Sequence, residues 1–427
     1  MRSFPLLLVF LLLFFSAIAQ KTYIQCGKFI DGNSSSVKNE VTIIVEGSKI
    51  QKIENGFTSG TSQDMVLDLR SKTVLPGLID CHVHLEDQSS KNSIALGFMQ
   101  TDADIAFLAA KYAKTTLMAG FTTVRDCGGT GINTSLRMAT ASGLVVGPTI
   151  ISSGRAISAT GGHMDPSDGF RDDAFRHAPG PNEGIADGKD ELIKAVRIQF
   201  KMGADFIKIA STGGVLDLSK DASGAQFTIE EIKTVVETAK DYGMKVACHA
   251  HGAEGIRRAI LGGVASIEHG SLMDEKDMEL AKKYGTYYVP TLIAGHSVAD
   301  SAKIPGYFPK VIAEKAIFIG SKMQATFGKA YKSGVKIAFG TDAGVFAHGK
   351  NALEFGYMLE AGMSPMDAIK SATVNAADLL GVSSERGTIE VGKIADIIAV
   401  DGDPIADISS LTRVSFVMKE GTIYKKL

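Results

Sequence analysis

Residues 75–87 read LPGLIDCHVHLED, an apolar run that closes on two histidines, His82 and His84, separated by a single residue. Side chains alternate along a strand, so positions i and i+2 share a face and both imidazoles can reach one point from its end. An HxH pair alone is weak, because histidines at exposed strand ends are common. Later apolar runs end in the same manner. Lys208 lies within FIKIAST (206–212), His249 closes KVACHA (245–250), His269 follows the strand in ASIEHG (265–270), and Asp342 follows KIAFGT (336–341). A lysine inside an apolar strand is costly unless it is paired or chemically altered.

Outward from these runs, the stretch 74–384 alternates apolar strand-like segments with helical ones, the pattern of a parallel sheet covered by helices. Eight strands are expected, at 75–83, 122–126, 149–153, 206–210, 245–250, 266–268, 286–291 and 336–340. That count fits a distorted (β/α)8 TIM barrel, in which the C-terminal strand ends gather at one mouth and bring His82, His84, Lys208, His249, His269 and Asp342 together. No glycine-rich phosphate loop of a doubly wound nucleotide-binding sheet is present. The flanks differ in texture. Short β-like runs at 22–30, 41–45, 49–53 and 65–68, and again within GTIEVGKIADIIAVDGDP (387–404) and VSFVMKEGTIYK (414–425), predict a small composite β-sandwich domain from 20–73 and 385–427.

With 427 residues, 45% of them apolar, the chain suits one enzyme-sized catalytic domain plus a small accessory one. Its 45 basic and 47 acidic side chains offer no electrostatic case for nucleic acid or an anionic membrane, which leaves a small-molecule substrate. The first residues, MRSFPLLLVFLLLFFSAIAQ, combine Arg2, a short apolar run and small residues at Ala17 and Ala19, as in a secretory signal peptide covering 1–19. The expectation is cleavage after Ala19 and a mature protein, free of the membrane, in the periplasm or secreted. Cys26, Cys81, Cys127 and Cys248 fall in or beside β-like runs and read as small buried thiols rather than a disulfide framework. Neither composition nor motif argues against a homo-oligomer.

The order HxH, Lys, His, His, Asp resembles the binuclear amidohydrolase superfamily of metal-dependent barrel hydrolases, over nearly the whole chain. The resemblance implies two divalent metals, with zinc the first choice: His82, His84 and Asp342 on one, His249 and His269 on the other, and Lys208, as N6-carboxylysine, bridging both. It also implies a metal-bridging hydroxide as nucleophile and Asp342 as general base and acid. Within the superfamily, TGGHMD (160–165), FIKIASTGGV (206–215), HAHGAEGIRRAI (249–260), IEHGSLMD (267–274) and YYVPTL (287–292) are similar to the dipeptidases and carboxypeptidases acting on Xaa-Pro, Xaa-Arg or Xaa-Lys and on N-acyl amino acids. That likeness puts a substrate α-carboxylate against His163 and Tyr287, with Tyr288 the competing choice. His251 shares a strand face with His249 and stands either against the scissile carbonyl or behind a ligand. His348, after the eighth strand, is a further candidate for substrate contact. Side-chain preference should depend on loops expected at 156–188 and 293–309.

The expected activity is therefore hydrolysis of a peptide or N-acyl amino-acid amide bond in a small substrate with a free α-carboxylate. Two other readings compete: a cyclic-amide hydrolase resembling imidazolonepropionase, whose relatives usually lack the bridging lysine, and a catalytically inactive barrel serving as an interaction protein, which would normally have lost ligands.

Overall fold

The computed structural model describes residues 20–426 apart from 176 and 220, so the expected signal peptide at 1–19 lies outside the described residues. The strands are β1 (Lys21–Phe29), β2 (Lys38–Glu46), β3 (Lys49–Asn55), β4 (Met65–Pro76), β5 (Leu78–Val83), β6 (Phe121–Asp126), β7 (Thr149–Ser152), β8 (Ile207–Ala210), β9 (Val246–Ala250), β10 (Ser266–His269), β11 (Tyr287–Val289), β12 (Ile397–Asp401), β13 (Val414–Lys419) and β14 (Thr422–Lys425).

Both chain ends contribute to one seven-stranded sheet, ordered β14-β13-β12-β4-β1-β2-β3. The C-terminal strands enter it through β12, which pairs antiparallel with β4, Ile397 opposite Pro76 and Ala399 opposite Val74. Ile24, Ile43, Val74, Ile397 and Phe416 are buried in a core of this sheet's own. The intervening Leu75, Ile398, Val400 and Val417 are buried in the barrel's core instead, so this part of the sheet is packed on both faces.

The (β/α)8 barrel is assembled from two parallel groups, β5-β6-β7 and β8-β9-β10-β11. Single parallel bridges complete the circuit: Ile157 to Ile209 joins the groups on one side, while Tyr288 to Ile337 and Val83 to Ala343 insert residues 337–343 as the eighth stave. Short strands and single bridges account for the distortion. The run expected as one strand at 75–83 is divided, since Leu75 and Pro76 belong to β4 and the terminal sheet whereas β5 begins at Leu78. Gly77 makes the break possible. A Cβ there would stand 2.1 Å from Thr122 Oγ1, so only glycine lets the chain pass this close to β6.

Two helices matter for the site. The helix Val374–Leu380 covers the N-terminal end of the barrel, where Ala376, Ala377 and Leu379 pack with Ile79 and Tyr287. At the mouth, much of the segment expected as a loop at 293–309 is instead the helix Leu292–Ala302. Its first amides are satisfied by Glu354, whose carboxylate accepts from Leu292 N–H at 2.8 Å and Ile293 N–H at 2.6 Å. A buried acid 61 residues away thus supplies the cap that the local sequence lacks. All four cysteines are buried and free.

Candidate active site

Three consecutive staves end in strained backbone. His269, Thr291 and Asp342 have φ of 69°, 51° and 61°, the left-handed region that costs a non-glycine residue roughly 1–3 kcal/mol. Each turn swings a polar side chain over the mouth, where Asp342 lies 3.5 Å from His82 Nε2 and 3.3 Å from His84 Nε2. The imidazoles form a continuous array, with ring centroids 4.9 Å apart for His82 and His269, 4.8 Å for His249 and His269, and 4.7 Å for His249 and His251.

Each ring has one nitrogen anchored by a supporting group, and His82 also meets Lys208 Nζ through its second nitrogen, at 3.3 Å. His82 Nδ1–H donates to Glu268 at 2.8 Å, His84 Nδ1–H to the Gly128 carbonyl at 2.7 Å, and His249 Nε2–H to the Gly213 carbonyl at 3.1 Å. His251 Nδ1 meets Ser271 Oγ at 2.7 Å, and His269 Nδ1 meets Thr291 Oγ1 at 2.8 Å. Such contacts orient a ring and set its tautomer, the usual support for a metal-ligating histidine. Burial, reinforced by the charge of Lys208, lowers His82 to about 4; burial, reinforced by His163, lowers His251 to about 3. His249 and His269 are also held well below the ordinary imidazole value, first by burial and then by neighbouring imidazoles. His84 is the exception, since Asp342 more than offsets its burial and raises it. Burial would likewise raise Asp342, but His82, His84 and Lys208 outweigh it and hold the carboxyl well below the usual range.

The arrangement fits a divalent cation. One nitrogen each of His82 and His84 and one oxygen of Asp342 lie within 4.8 Å of one another. His249 Nδ1 and Asp342 Oδ1 are buried without a hydrogen-bond partner, and a buried acceptor left bare costs roughly 1–3 kcal/mol. Lys208 is fully buried, and its Nζ makes a single hydrogen bond, 3.3 Å to His82 Nε2. No carboxylate pairs with it among the described residues, a poor setting for an ammonium. The grouping of His82 with Cys127 and Glu268 fits less well, because burial pushes the Cys127 thiol up to about 12.

Beneath the histidines lies a support that sequence reasoning missed. Burial would raise Glu268, but Arg125 outweighs it and holds the acid at about 2; Arg125 Nη2 donates to Glu268 Oε1 at 2.7 Å, and its Nε to the Cys81 carbonyl at 2.5 Å. An anionic Glu268 thereby fixes His82. Asp80 ties the first stave to the eighth by accepting from the amides of His82 and Thr341 and from Thr341 Oγ1–H and Asn351.

His163 faces the same cavity of about 200 Å³ as His82, His84, His249, His251, His269 and Asp342. Its Nδ1–H donates to Asp217 at 2.6 Å, and Asp217 also accepts from Lys315 Nζ at 2.5 Å. Its ring stacks on His249, centroids 4.2 Å apart, and lies directly against Gly214, where a Cβ would sit 1.9 Å from the ring's Cε1. Gly214→Ala must therefore displace His163. Since a shift of about 1 Å in a positioning group can cost 10²-fold, kcat/KM for any substrate held at His163 should fall by about that factor. Steady-state kinetics checks this, and an unchanged kcat/KM would remove His163 from the substrate site.

Three expected substrate contacts do not line this cavity. Tyr287 opens β11 at the end opposite the mouth, and its hydroxyl donates to Asp378 on the basal helix at 2.7 Å. Tyr288 is fully buried, with Phe327 at a centroid distance of 6.3 Å, and a Cβ on Gly270 would touch its ring; it does not line the cavity. His348 stacks on Tyr112 and donates through Nε2–H to the Asp87 carbonyl at 2.9 Å, so it braces a mouth loop instead of facing the cavity.

Comparison with known proteins agrees with this geometry. The amidohydrolase family matches residues 73–424. The chain belongs to the amidohydrolase family. This amidohydrolase is similar, at TM-score 0.92 and 48% identity, to a solved Xaa-Pro dipeptidase with methionine bound in its active site, over 95% of this chain and 100% of that one. It is similar to a prolidase solved with N-methylphosphonate-L-proline, at TM-score 0.87 and 31% identity over 96% of this chain and 100% of the other. It is also 33% identical to ochratoxinase of Aspergillus niger, over 95% of this chain and 87% of that protein.

Proposed function

We propose that this amidohydrolase is a two-metal enzyme cutting the amide bond of a small peptide or N-acyl amino acid whose product side carries a free α-carboxylate. The observation that carries this reading is the array of buried, anchored imidazoles around Asp342, opening into one cavity with His163. In this reading His82, His84 and Asp342 hold one divalent ion and His249 and His269 the other, with zinc the best match to imidazole and carboxylate donors. Lys208, its Nζ joined to carbon dioxide with loss of a proton, would as the anionic carbamate help to hold the ions. When bound, the ions supply Lewis acidity that activates water and polarises the scissile carbonyl.

The protein's own groups do the rest. Asp342 accepts a proton from the attacking water and delivers it to the leaving nitrogen. His251, with Nδ1 held by Ser271, presents its other nitrogen toward the scissile carbonyl. His163, backed by Asp217 and Lys315, receives the α-carboxylate through a charge-assisted contact. A relative whose active site holds methionine, an amino acid with a free carboxylate, supports that assignment. Export with cleavage after Ala19 completes the proposal, and N-terminal sequencing of the mature protein tests it.

Chelation followed by reconstitution with zinc or manganese, assayed on dipeptides and N-acyl amino acids beside their C-terminal amides, tests the activity. Amino-acid release should vanish with the metal, return with it, and require the free carboxylate. Hydrolysis confined to cyclic amides, or activity indifferent to chelation, would contradict the proposal.

A further inference from the structure

The cavity has two unlike kinds of lining. Beyond the histidines and Asp342, the rest of its lining is largely hydrocarbon: Met164, Val215 and Leu216 beside His163, and Val298, Ile319 and Met323 from the helices Leu292–Ala302 and Lys310–Ser333. Among the described residues, none that is charged lines it apart from the histidines and Asp342. We propose that the substrate residue bearing the free α-carboxylate carries a bulky, uncharged apolar side chain of the size of leucine, methionine or phenylalanine, and that basic and acidic side chains are rejected. This deepens, and rests on, the amide-hydrolase reading above.

Three observations converge on this substrate class. A carboxylate held at His163 leaves its side chain one carbon away, and the residues there are Met164, next in the chain, and Val215 and Leu216, which follow the Gly214 against which His163 rests. A charged side chain entering this space would lose its water, and among the described residues lining it none beyond the histidines and Asp342 offers a counter-charge, a cost hydrocarbon cannot offset. Asp217, the acid beside His163, already accepts from His163, Lys315, Ser219 and the Gly214 amide, and Lys315 is occupied by Asp217. The helical part of the lining is also set firmly. A Cβ on Gly295 would lie 2.3 Å from Met323 Sδ, and one on Gly320 would lie 2.7 Å from the Gly295 carbonyl oxygen, so glycines let the two helices approach closely and fix the backbone beneath Met323. Only the thioether is free to adapt, which accommodates apolar side chains of several shapes. At about 200 Å³ the space falls below the ~300–1,000 Å³ typical of drug-sized ligands, consistent with a single amino-acid residue.

The test uses the metal-loaded wild-type enzyme with two matched series, N-acetyl-L-X and glycyl-L-X, where X is Leu, Met, Phe, Lys, Arg, Asp or Glu. The expected kcat/KM for the apolar members exceeds that for the charged ones by about 100-fold or more. Titration calorimetry with free amino acids gives a reading independent of turnover: L-leucine, L-methionine and L-phenylalanine should bind, and L-lysine and L-aspartate should not. Met323→Glu should cut the Leu-to-Lys ratio of kcat/KM at least about tenfold, a comparison made within one preparation and so indifferent to its folded fraction. Lysine or arginine substrates cleaved as well as apolar ones would overturn the proposal and leave the amide-hydrolase reading standing; the partner would then be Asp168, whose Oδ2 is buried without a hydrogen-bond partner near Asp217. No turnover of any free-carboxylate amide would overturn the amide-hydrolase reading itself, and this proposal with it.

Discussion

Asp342→Asn is expected to lower kcat by roughly 10³-fold, at the centre of the 10²- to 10⁴-fold range for loss of a positioned acid–base group, with KM changed little. The substitution keeps the volume and one carbonyl oxygen, and asparagine tolerates the φ of 61° better than most residues, so the strained turn should persist. What disappears is the anionic oxygen that lies 3.3 Å from His84 without hydrogen-bond alignment, and with it the ability to carry a proton from water to the leaving nitrogen. Single-turnover kinetics with metal content measured on the same sample separates this from simple metal loss. A kcat within about fivefold of wild type, on a sample retaining its metal, would move the proton transfer to another group.

Lys208→Met has effects of opposite sign on loading and on stability. With the carbamate site removed, the protein should fail to retain the paired ions, and turnover should fall to background. The metal-free protein should become no less stable, and up to about 1–4 kcal/mol more stable, because a fully buried amine whose one partner is an imidazole is replaced by an apolar chain of similar length. Thermal melts of both proteins in chelator, with elemental analysis after reconstitution in bicarbonate, check the two halves. A variant that holds both ions and turns over normally would show that Lys208 bridges nothing; a large loss of stability in the metal-free form would show that the lysine is structurally satisfied.

Much of the site was legible in the sequence because a parallel barrel converts sequence phase into position. His82, His84, Lys208, His249, His269 and Asp342 each sit in or just after an apolar run, and the fold brings those strand ends to one mouth. The supports were not legible, because they pair residues with no local signal: Arg125 reaches Glu268 across 143 positions, and Lys315 reaches Asp217 across 98. The tyrosines lie away from the cavity for another reason. Adjacent Tyr287 and Tyr288 must face opposite sides of β11, and at the start of so short a strand one side is the barrel's base while the other is its packed outer layer. Neither faces the mouth, a consequence of strand length that the motif YYVPTL does not contain. The helix Leu292–Ala302 was read as a loop because its cap comes from Glu354, distant in sequence. Likewise, the division of 75–83 at Gly77 depends on the approach of Thr122 from the neighbouring strand.

The most direct test of the account is elemental analysis of the purified protein after equilibration with zinc and bicarbonate, counted per chain and repeated on Lys208→Met and Asp342→Asn. The account expects two divalent ions per wild-type chain, loss of the pair in Lys208→Met, and bound metal retained in Asp342→Asn. One ion or none in the wild type, with amide hydrolysis intact, would contradict it.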